Sequence, residues 1–249
     1  MRLQGKVAIV TGAGGGFGEG IARRFAAEGA KVVVADLRGE AAERVAAQIG
    51  HGAIAITGDV GKREDVARIV AQTVGYFGGL DILVNNAGVT HRNKPILEVS
   101  EDEFDLIFNV NVKSIFHFVR EAVPAMRERG GGAIINVGST AGIRPRPGLT
   151  WYNASKGAVN LLSKSLALEV APWNIRVNAI CPVMGETGLL ESFMGVPDTP
   201  ENRARFISTI PLGRMSRPDD IANAAMYLAS DEGAFITGIE LPVDGGRTV

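Results

Sequence analysis

The chain has little of what several classes of protein require. One cysteine and three histidines among 249 residues exclude an internal disulfide and leave few ligands for zinc. The 26 basic and 27 acidic residues give a net charge of −1, without the basic surplus typical of nucleic-acid-binding proteins. No apolar run approaches the roughly 20 residues of a membrane span, and no signal-peptide core is visible. We therefore expect a cytoplasmic protein with no metal site and neither a nucleic-acid nor a membrane partner.

Glycine, by contrast, is abundant. The 32 glycines are about 13% of the chain, against roughly 7% in an average protein. A hydrophobic content of 46% excludes a disordered chain, and the length allows one large domain. No linker or internal repeat divides the sequence, so we predict a single domain over residues 1–249. The glycine- and proline-rich stretch at about 184–210 is interpreted as a lid-like insertion.

Short β-branched runs alternate with longer amphipathic stretches. This alternation predicts an α/β protein with a doubly wound parallel sheet, a Rossmann fold, with helices on both faces. The strand runs are almost entirely apolar, which is typical of parallel strands covered on both sides. The predicted strands are Val7–Thr11, Lys31–Asp36, Ala53–Thr57, Ile82–Asn85, Ala133–Val137, Arg176–Ile180 and about Gly238–Pro242. The predicted helices are Gly18–Glu28, Glu40–Ile49, Glu64–Phe77, Glu101–Arg129 (with a capping box formed by Ser100 and Glu103), Tyr152–Ala171 and about Pro218–Ala229.

A glycine-rich turn joins the first predicted strand to its helix. Such a turn lets the backbone approach a pyrophosphate at a helix N-terminus, although a ligand-free tight turn is the alternative. Asp36 ends the second strand, where a carboxylate accepts from the ribose hydroxyls of NAD and repels the 2′-phosphate of NADP. Arg38 is expected in solvent, so we predict NAD, with NADP less favoured. The candidate cofactor-binding residues here are Gly12, Gly14, Gly15, Gly16, Phe17, Gly18, Asp36 and Leu37.

Two later turns also follow predicted strands. Asp59 and Val60 come after the third strand, and Asn86, Ala87 and Gly88 come after the fourth. Ligands in such sheets bind outside the carboxyl ends of the strands. We therefore expect the first turn at the adenine and the second beside the nicotinamide; taken alone, each also fits an ordinary polar turn.

Tyr152 and Lys156 are spaced to lie on one face of a helix. A tyrosine has a pKa near 10, and a nearby lysine together with a cationic nicotinamide is expected to lower it. Ser139 lies thirteen positions earlier, after the fifth strand, where its hydroxyl can bond a substrate oxygen. Asn111 is expected to anchor a water that links Lys156 to solvent. These four residues are the predicted catalytic set; an isolated tyrosine–lysine spacing would mean little without the turns described above.

Over essentially its full length the chain resembles the short-chain dehydrogenase/reductase family. That resemblance implies that Tyr152 is the general acid/base, Ser139 orients the substrate oxygen, and Lys156 holds the nicotinamide ribose and tunes Tyr152. It also implies that Asn111 completes a proton relay, and that the protein is a homotetramer with helices Glu101–Arg129 and Tyr152–Ala171 at an interface. Pro182 and Thr187 match the stretch that borders the nicotinamide; Val183 departs from the family's frequent glycine. The matching residues are Thr11, Gly12, Gly16, Gly18, Asp59, Asn85–Gly88, Asn111, Ser139, Tyr152 and Lys156.

Other segments bear on the substrate. Thr90–Pro95, Pro147–Tyr152 and Gly185–Gly195 resemble a subgroup that includes an enzyme oxidising an aromatic aldehyde with a sulfonate. Arginines in the loop after Ser139 suit a carboxylate or sulfonate, although solvated loop cations are an equal alternative. The candidate substrate residues are His91, Arg144, Arg146, Trp151 and Met184.

The sequence thus predicts an NAD(H)-dependent oxidoreductase acting on a secondary alcohol/ketone or an aldehyde. One alternative is a 3-oxoacyl-[acyl-carrier-protein] reductase. Asp36 argues against it because this carboxylate favours NAD. Trp173 argues against it because a basic residue often stands at this position and docks the acidic carrier. A non-catalytic NAD-binding sensor is the alternative from another class. His51 is expected in a surface loop.

Overall fold

The computed structural model describes residues 1–50 and 52–249; His51 lies outside the described residues. Within them, the strands form one seven-stranded parallel sheet in the order β3-β2-β1-β4-β5-β6-β7. The strand order reverses between β1 and β4, where doubly wound sheets bind ligands. The strands are β1 (Val7–Thr11), β2 (Lys31–Asp36), β3 (Ala53–Thr57), β4 (Ile82–Asn85), β5 (Gly132–Val137), β6 (Ile175–Pro182) and β7 (Glu240–Val243).

Helices cover both faces of the sheet. The helices are α1 (Gly16–Ala27), α2 (Gly39–Ile49), α3 (Arg63–Phe77), α4 (Glu101–Phe108), α5 (Ser114–Glu128), α6 (Thr150–Val170), α7 (Leu190–Met194), α8 (Pro200–Ile207) and α9 (Pro218–Ala229). Phe25 of α1 packs on one face together with α2 and α9, whereas Phe118 of α5 packs on the other with α3 and α6. Alternate residues of β1 enter different clusters: Val10 joins the first and Ile9 the second. The continuous apolar strands predicted from sequence are therefore buried on both sides, and the predicted fold class is confirmed.

The capping box before α4 is present as predicted. The Ser100 hydroxyl accepts from the Glu103 N–H at 3.2 Å, and the Glu103 carboxylate accepts from the Ser100 N–H at 2.9 Å. The predicted single helix Glu101–Arg129 is wrong in one respect, since a π-helical turn at Asn109–Lys113 separates α4 from α5. The turn directs the Asn111 side chain to the backbone of Val89, a long-range contact that hydrophobic periodicity does not reveal.

The segment between β6 and α9 contains the short helices α7 and α8. Leu190 and Met194 of α7 pack against Met215, with Phe206 of α8 beside them. These residues form a separate apolar cluster. The cluster holds the segment beside the carboxyl ends of the strands. In the described chain, no helix combines the length and apolarity needed to cross a bilayer.

Candidate active site

A cavity of about 810 Å³ lies at the carboxyl ends of the strands. It is bounded by the turns that follow the strands on both sides of the β1/β4 switch point, as expected for a doubly wound sheet. The predicted residues that line it are Gly12, Gly14, Gly15, Gly16, Phe17, Asp36, Leu37, Asp59, Val60, Asn86, Ala87, Gly88, Ser139, Arg144, Arg146, Tyr152, Lys156, Pro182, Met184 and Thr187. The predicted residues outside its lining are Gly18, His91, Asn111 and Trp151.

The glycine turn after β1 brings main chain to the cavity wall. Gly12 and Gly16 have φ of 61° and 56°, in the left-handed region that favours glycine. Helix α1 begins at Gly16 without a side-chain cap, so its first N–H groups are open to an anion. A Cβ on Gly12 would lie 2.9 Å from the Ala87 Cα, and one on Gly18 would overlap the Gly12 carbonyl oxygen. Gly18 therefore permits the tight turn rather than lining the cavity.

Asp36 is buried at the end of β2 and is held by backbone donors. Its two carboxylate oxygens accept from the Gly14 N–H at 2.8 Å and the Arg38 N–H at 2.9 Å. The Arg38 side chain is in solvent as expected, although its Nε lies 3.5 Å from the same carboxylate. Its side chain is 70% exposed, which makes the pair weak. The remaining lone pairs of Asp36 are available to ribose hydroxyls.

Asn86 couples the turns after β1 and β4. Its amide donates to the Thr11 carbonyl at 2.7 Å and to the Gly12 carbonyl at 3.2 Å. The Thr11 hydroxyl in turn accepts from the N–H groups of Asn86 and Ala87, each at 3.0 Å. The side chain of Asn86 thus fixes the glycine turn, while the small residues beside it leave the cavity open.

Ser139, Tyr152 and Lys156 meet at the opposite wall of the cavity, all three buried. The Ser139 hydroxyl accepts from the Ala141 N–H at 3.0 Å and is near enough to Tyr152 to influence the pKa of its phenol. The Lys156 Nζ donates to the Val137 carbonyl at 2.7 Å and lies 5.9 Å from the centroid of the Tyr152 ring. Strand β5 and helix α6 therefore deliver a hydroxyl, a phenol and an amine to one place.

Burial dominates the ionisation of this group. It raises the pKa of Tyr152 to about 12, although the hydrogen bond to Ser139 and the charge of Arg146 act in the opposite direction. Burial also lowers the pKa of Lys156 to about 8. In the protein alone, desolvation of the phenolate outweighs the charge of Arg146; the expected lowering of the Tyr152 pKa, which also involves a cationic nicotinamide, stays a prediction.

Asn111 lies behind this wall. Its amide donates to the Val89 carbonyl and to the Ser155 hydroxyl, both at 3.0 Å, and its oxygen accepts from the Val89 N–H at 2.8 Å. Ser155 donates to the Tyr152 carbonyl at 2.8 Å. The Asn111 side chain thereby ties the loop after β4 to α6, and its predicted part in a proton relay stays a prediction.

The predicted substrate residues divide into two groups. Arg144, Arg146 and Met184 line the cavity, as noted above. His91 does not, because its Nδ1 pairs with the Arg92 carbonyl at 2.8 Å and its ring is buried beneath the loop. Trp151 also points elsewhere and packs edge-on against Phe104, with ring centroids 5.2 Å apart. Neither residue lines the cavity, and their assignment to the substrate pocket stays a prediction.

Some lining residues escape sequence-based prediction. Phe206 of α8 and the terminal residues Arg247 and Thr248 reach the cavity from segments without a recognisable motif. The position of Arg247 just after β7 is the one available signal, since carboxyl ends of parallel strands share an edge of the sheet.

Comparisons with known proteins agree with this geometry. A family model described as Enoyl-(Acyl carrier protein) reductase matches residues 12–248. The chain is 51% identical to a 4-formylbenzenesulfonate dehydrogenase of Comamonas testosteroni, and 37% identical to a 3-oxoacyl-[acyl-carrier-protein] reductase of Thermotoga maritima; each alignment covers 100% of both chains. A crystal structure of 3-ketoacyl-(acyl-carrier-protein) reductase from Brucella melitensis complexed with NADH superposes with a TM-score of 0.94. It shares 47% sequence identity and covers 99% of this chain and 100% of that one.

Proposed function

This chain belongs to the short-chain dehydrogenase/reductase family, an oxidoreductase family, and from that premise we propose how its cavity works. The protein interconverts a secondary alcohol and a ketone, or an alcohol and an aldehyde, with NAD(H) as the hydride carrier. The observation that carries the proposal is that Ser139, Tyr152 and Lys156 stand across one cavity from the glycine turn.

The cavity fits a dinucleotide along its length. The glycine turn and the uncapped start of α1 would hold the pyrophosphate, and Asp36 would accept from the adenosine ribose. The NADH bound by the Brucella relative supports the same cofactor here, and the charge of Asp36 disfavours NADP. When bound, the nicotinamide supplies or accepts hydride. Other residues would contact the rest of the dinucleotide: Asp59 and Val60 at the adenine, and Asn86, Ala87, Gly88, Lys156, Pro182 and Thr187 at the nicotinamide half.

Tyr152 would exchange the proton at the substrate oxygen. With its pKa raised to about 12, the phenol is protonated at neutral pH and suited to donate during carbonyl reduction. The Ser139 hydroxyl would hydrogen-bond the same oxygen and hold it against Tyr152. Oxidation of an alcohol requires Tyr152 to act as a phenolate. The positive charges of Lys156 and Arg146 would stabilise that phenolate.

A screen for NAD⁺ reduction over alcohols, polyols, sugars and aldehydes tests this function. Tyr152→Phe should lower kcat/KM by about a thousandfold, because general acid–base catalysis contributes factors of 10² to 10⁴. Tyr76→Phe is the matched control, since its side chain is 69% exposed and lies on α3. Undiminished turnover in Tyr152→Phe would overturn the assignment.

A second candidate is reduction of a 3-oxoacyl thioester, favoured by the names of the Thermotoga and Brucella relatives. The Brucella reductase is complexed with NADH, so the preference for NAD that Asp36 supports does not separate the two candidates. Trp173, which stacks with Arg127 at 4.3 Å, offers no cation of its own for an acidic carrier. Rates with an acetoacetyl thioester and each cofactor separate the two candidates.

The homotetramer expected from the family is also a proposal. A groove between α4, α5 and α6 is lined by Phe116, Val119 and Leu162, and Leu161 is 65% exposed on α6. Such an apolar surface supports association through these helices. Light scattering after size exclusion would give the oligomeric state directly. The lid-like role of residues 184–210 and the cytoplasmic location stay predictions.

A further inference from the structure

Three arginines gather at the end of the cavity near Tyr152. Arg144 and Arg146 lie in the loop after β5, and Arg247 lies in the turn after β7. In the part of the chain that the structure describes, none of them forms an ion pair with a carboxylate. The carboxylates that line this cavity, Asp36 and Asp59, follow β2 and β3 in the other half of the sheet. The cavity therefore has its carboxylates at one end, where Arg38 stands beside Asp36, and arginines without a carboxylate partner at the other, the basic end.

The basic end is held in place by specific contacts. The Arg144 Nη1 donates to the Arg247 carbonyl at 3.0 Å, which joins the two segments. The turn that carries Arg247 is fixed by Asp244, whose carboxylate accepts from the N–H groups of Gly246 and Thr248 at 2.9 Å each. These contacts fix the backbone of the turn at Arg247 and the end of the exposed Arg144 side chain.

Arg146 is anchored at both its backbone and its guanidinium. Its carbonyl accepts from the Asn153 amide at 2.8 Å, and its guanidinium lies 5.4 Å from the centroid of the Phe206 ring. Burial and the charge of Arg247 both lower the pKa of Arg146, so the two like charges repel each other in a half-desolvated place. An anion bound between them would remove that repulsion and satisfy the guanidinium donors.

Apolar side chains form the wall between the arginines and the reacting group. Phe193 contacts Tyr152 edge-on, with ring centroids 5.0 Å apart, and Phe206 covers Arg146. Met184 completes this wall. A ligand with an apolar, flat body would fit between them, with a polar oxygen at one end and an anionic group at the other.

We propose that the substrate carries a carboxylate or sulfonate that binds Arg146 and Arg247 while its reacting oxygen lies at Tyr152. This inference rests on the proposed function, because it assigns the substrate class of the same site. A guanidinium binds either anion through two parallel hydrogen bonds, which fixes the orientation as well as the charge of the ligand. Arg144 supports Arg247 through its carbonyl and acts as a positioning residue.

Binding of non-reacting anions tests the inference without turnover. Calorimetric titration of the NADH-saturated protein with benzenesulfonate and benzoate should show binding at least ten times tighter than with their neutral counterparts, benzenesulfonamide and benzamide. Arg146→Ala and Arg247→Ala should each weaken anion binding about ten- to a hundredfold and leave the neutral compounds unaffected. Arg146→Lys should keep part of the preference, because charge remains while the paired hydrogen bonds are lost.

Arg205→Ala is the matched control, since Arg205 is exposed on α8 and lies outside the cavity lining. It should leave all four affinities unchanged. Equal binding of charged and neutral compounds, no binding of either anion, or an anion preference that survives Arg146→Ala and Arg247→Ala would overturn the inference. Failure of NADH to bind would instead overturn the proposed function, and the anion titrations would then be made on the protein alone.

Discussion

The two ends of the cavity are built from different kinds of group. At the dinucleotide end, glycines and the first N–H groups of α1 form the surface, with the Asp36 carboxylate beside them. At the substrate end, Arg146 and Tyr152, six positions apart, are joined by Arg247 from a segment distant in the sequence. A backbone-built surface suits a ligand part that many enzymes share, whereas a side-chain-built surface can change with the substrate. The comparison indicates where cofactor choice and where substrate choice are set.

The largest effect is expected when a side chain is placed in the glycine turn, which should weaken binding at the dinucleotide end. A Cβ on Gly14 would lie 2.8 Å from the Ala41 Cβ and 2.9 Å from the Asp36 Cγ, so Gly14→Val displaces the carboxylate and narrows the cavity. We expect the Kd for NADH to rise about a hundredfold, measured by fluorescence titration. Gly75→Val in α3 is the control, because no atom lies within 4 Å of a Cβ there. Unchanged NADH affinity in Gly14→Val would place the cofactor elsewhere.

The buried amine at the boundary between the two ends should make stability depend on pH. Because burial lowers the pKa of Lys156 to about 8, the unfolded chain binds more protons between pH 8 and pH 10.5, and folding is favoured as the pH rises through that window. The free energy of unfolding of the wild type minus that of Lys156→Met should therefore increase by about 1 to 3 kcal/mol from pH 7 to pH 10. Urea titrations at several pH values measure this difference.

Lys164→Met serves as the control for that experiment. Lys164 lies on the same helix with an exposed side chain, paired with Glu240 at 3.1 Å. The free energy of unfolding of the wild type minus that of Lys164→Met should not change across the same pH range. If the difference in the free energy of unfolding for Lys156→Met also does not change with pH, the charged Lys156 amine is not buried.

Cofactor choice should respond to the acidic group at the dinucleotide end. Asp36→Asn removes the charge that would repel a 2′-phosphate and leaves Arg38 beside the site. We expect the ratio of kcat/KM for NADPH to that for NADH to rise about tenfold or more, since like charges in contact cost several kcal/mol. Glu40→Gln, an exposed acid on α2, should leave the ratio as it is. No change in Asp36→Asn would remove Asp36 from cofactor recognition.

The smallest effect is expected outside both ends. Trp151 precedes Tyr152 but packs on Phe104 and does not line the cavity. Trp151→Phe should change KM less than twofold while lowering the free energy of unfolding by about 1 kcal/mol. Phe206→Ala, which alters the cavity wall, is the contrasting variant and should raise KM. A large KM change in Trp151→Phe would extend the substrate end beyond the cavity described.

The two ends also differ in how well the sequence predicts them. The glycine turn and Asp36 are local patterns next to strands, and the bounds of β1 to β4 agree with their prediction because each strand is a short, largely apolar run. Arg247 and Phe206 carry no such pattern, since they reach the cavity only through the packing of distant segments. His91 and Trp151 lie next to motifs in the sequence but outside the cavity lining, because nearness in sequence to a motif does not determine the direction of a side chain.

The most direct test of the central claim follows hydride and proton together. A carbonyl substrate identified in the activity screen is mixed with excess enzyme and NADH deuterated at the transferring position of C4, in a single turnover. The account predicts deuterium on the carbinol carbon of the product, formed about a thousand times more slowly in Tyr152→Phe with the NADH affinity unchanged. Product without deuterium, or product formed at the wild-type rate by Tyr152→Phe, would contradict it.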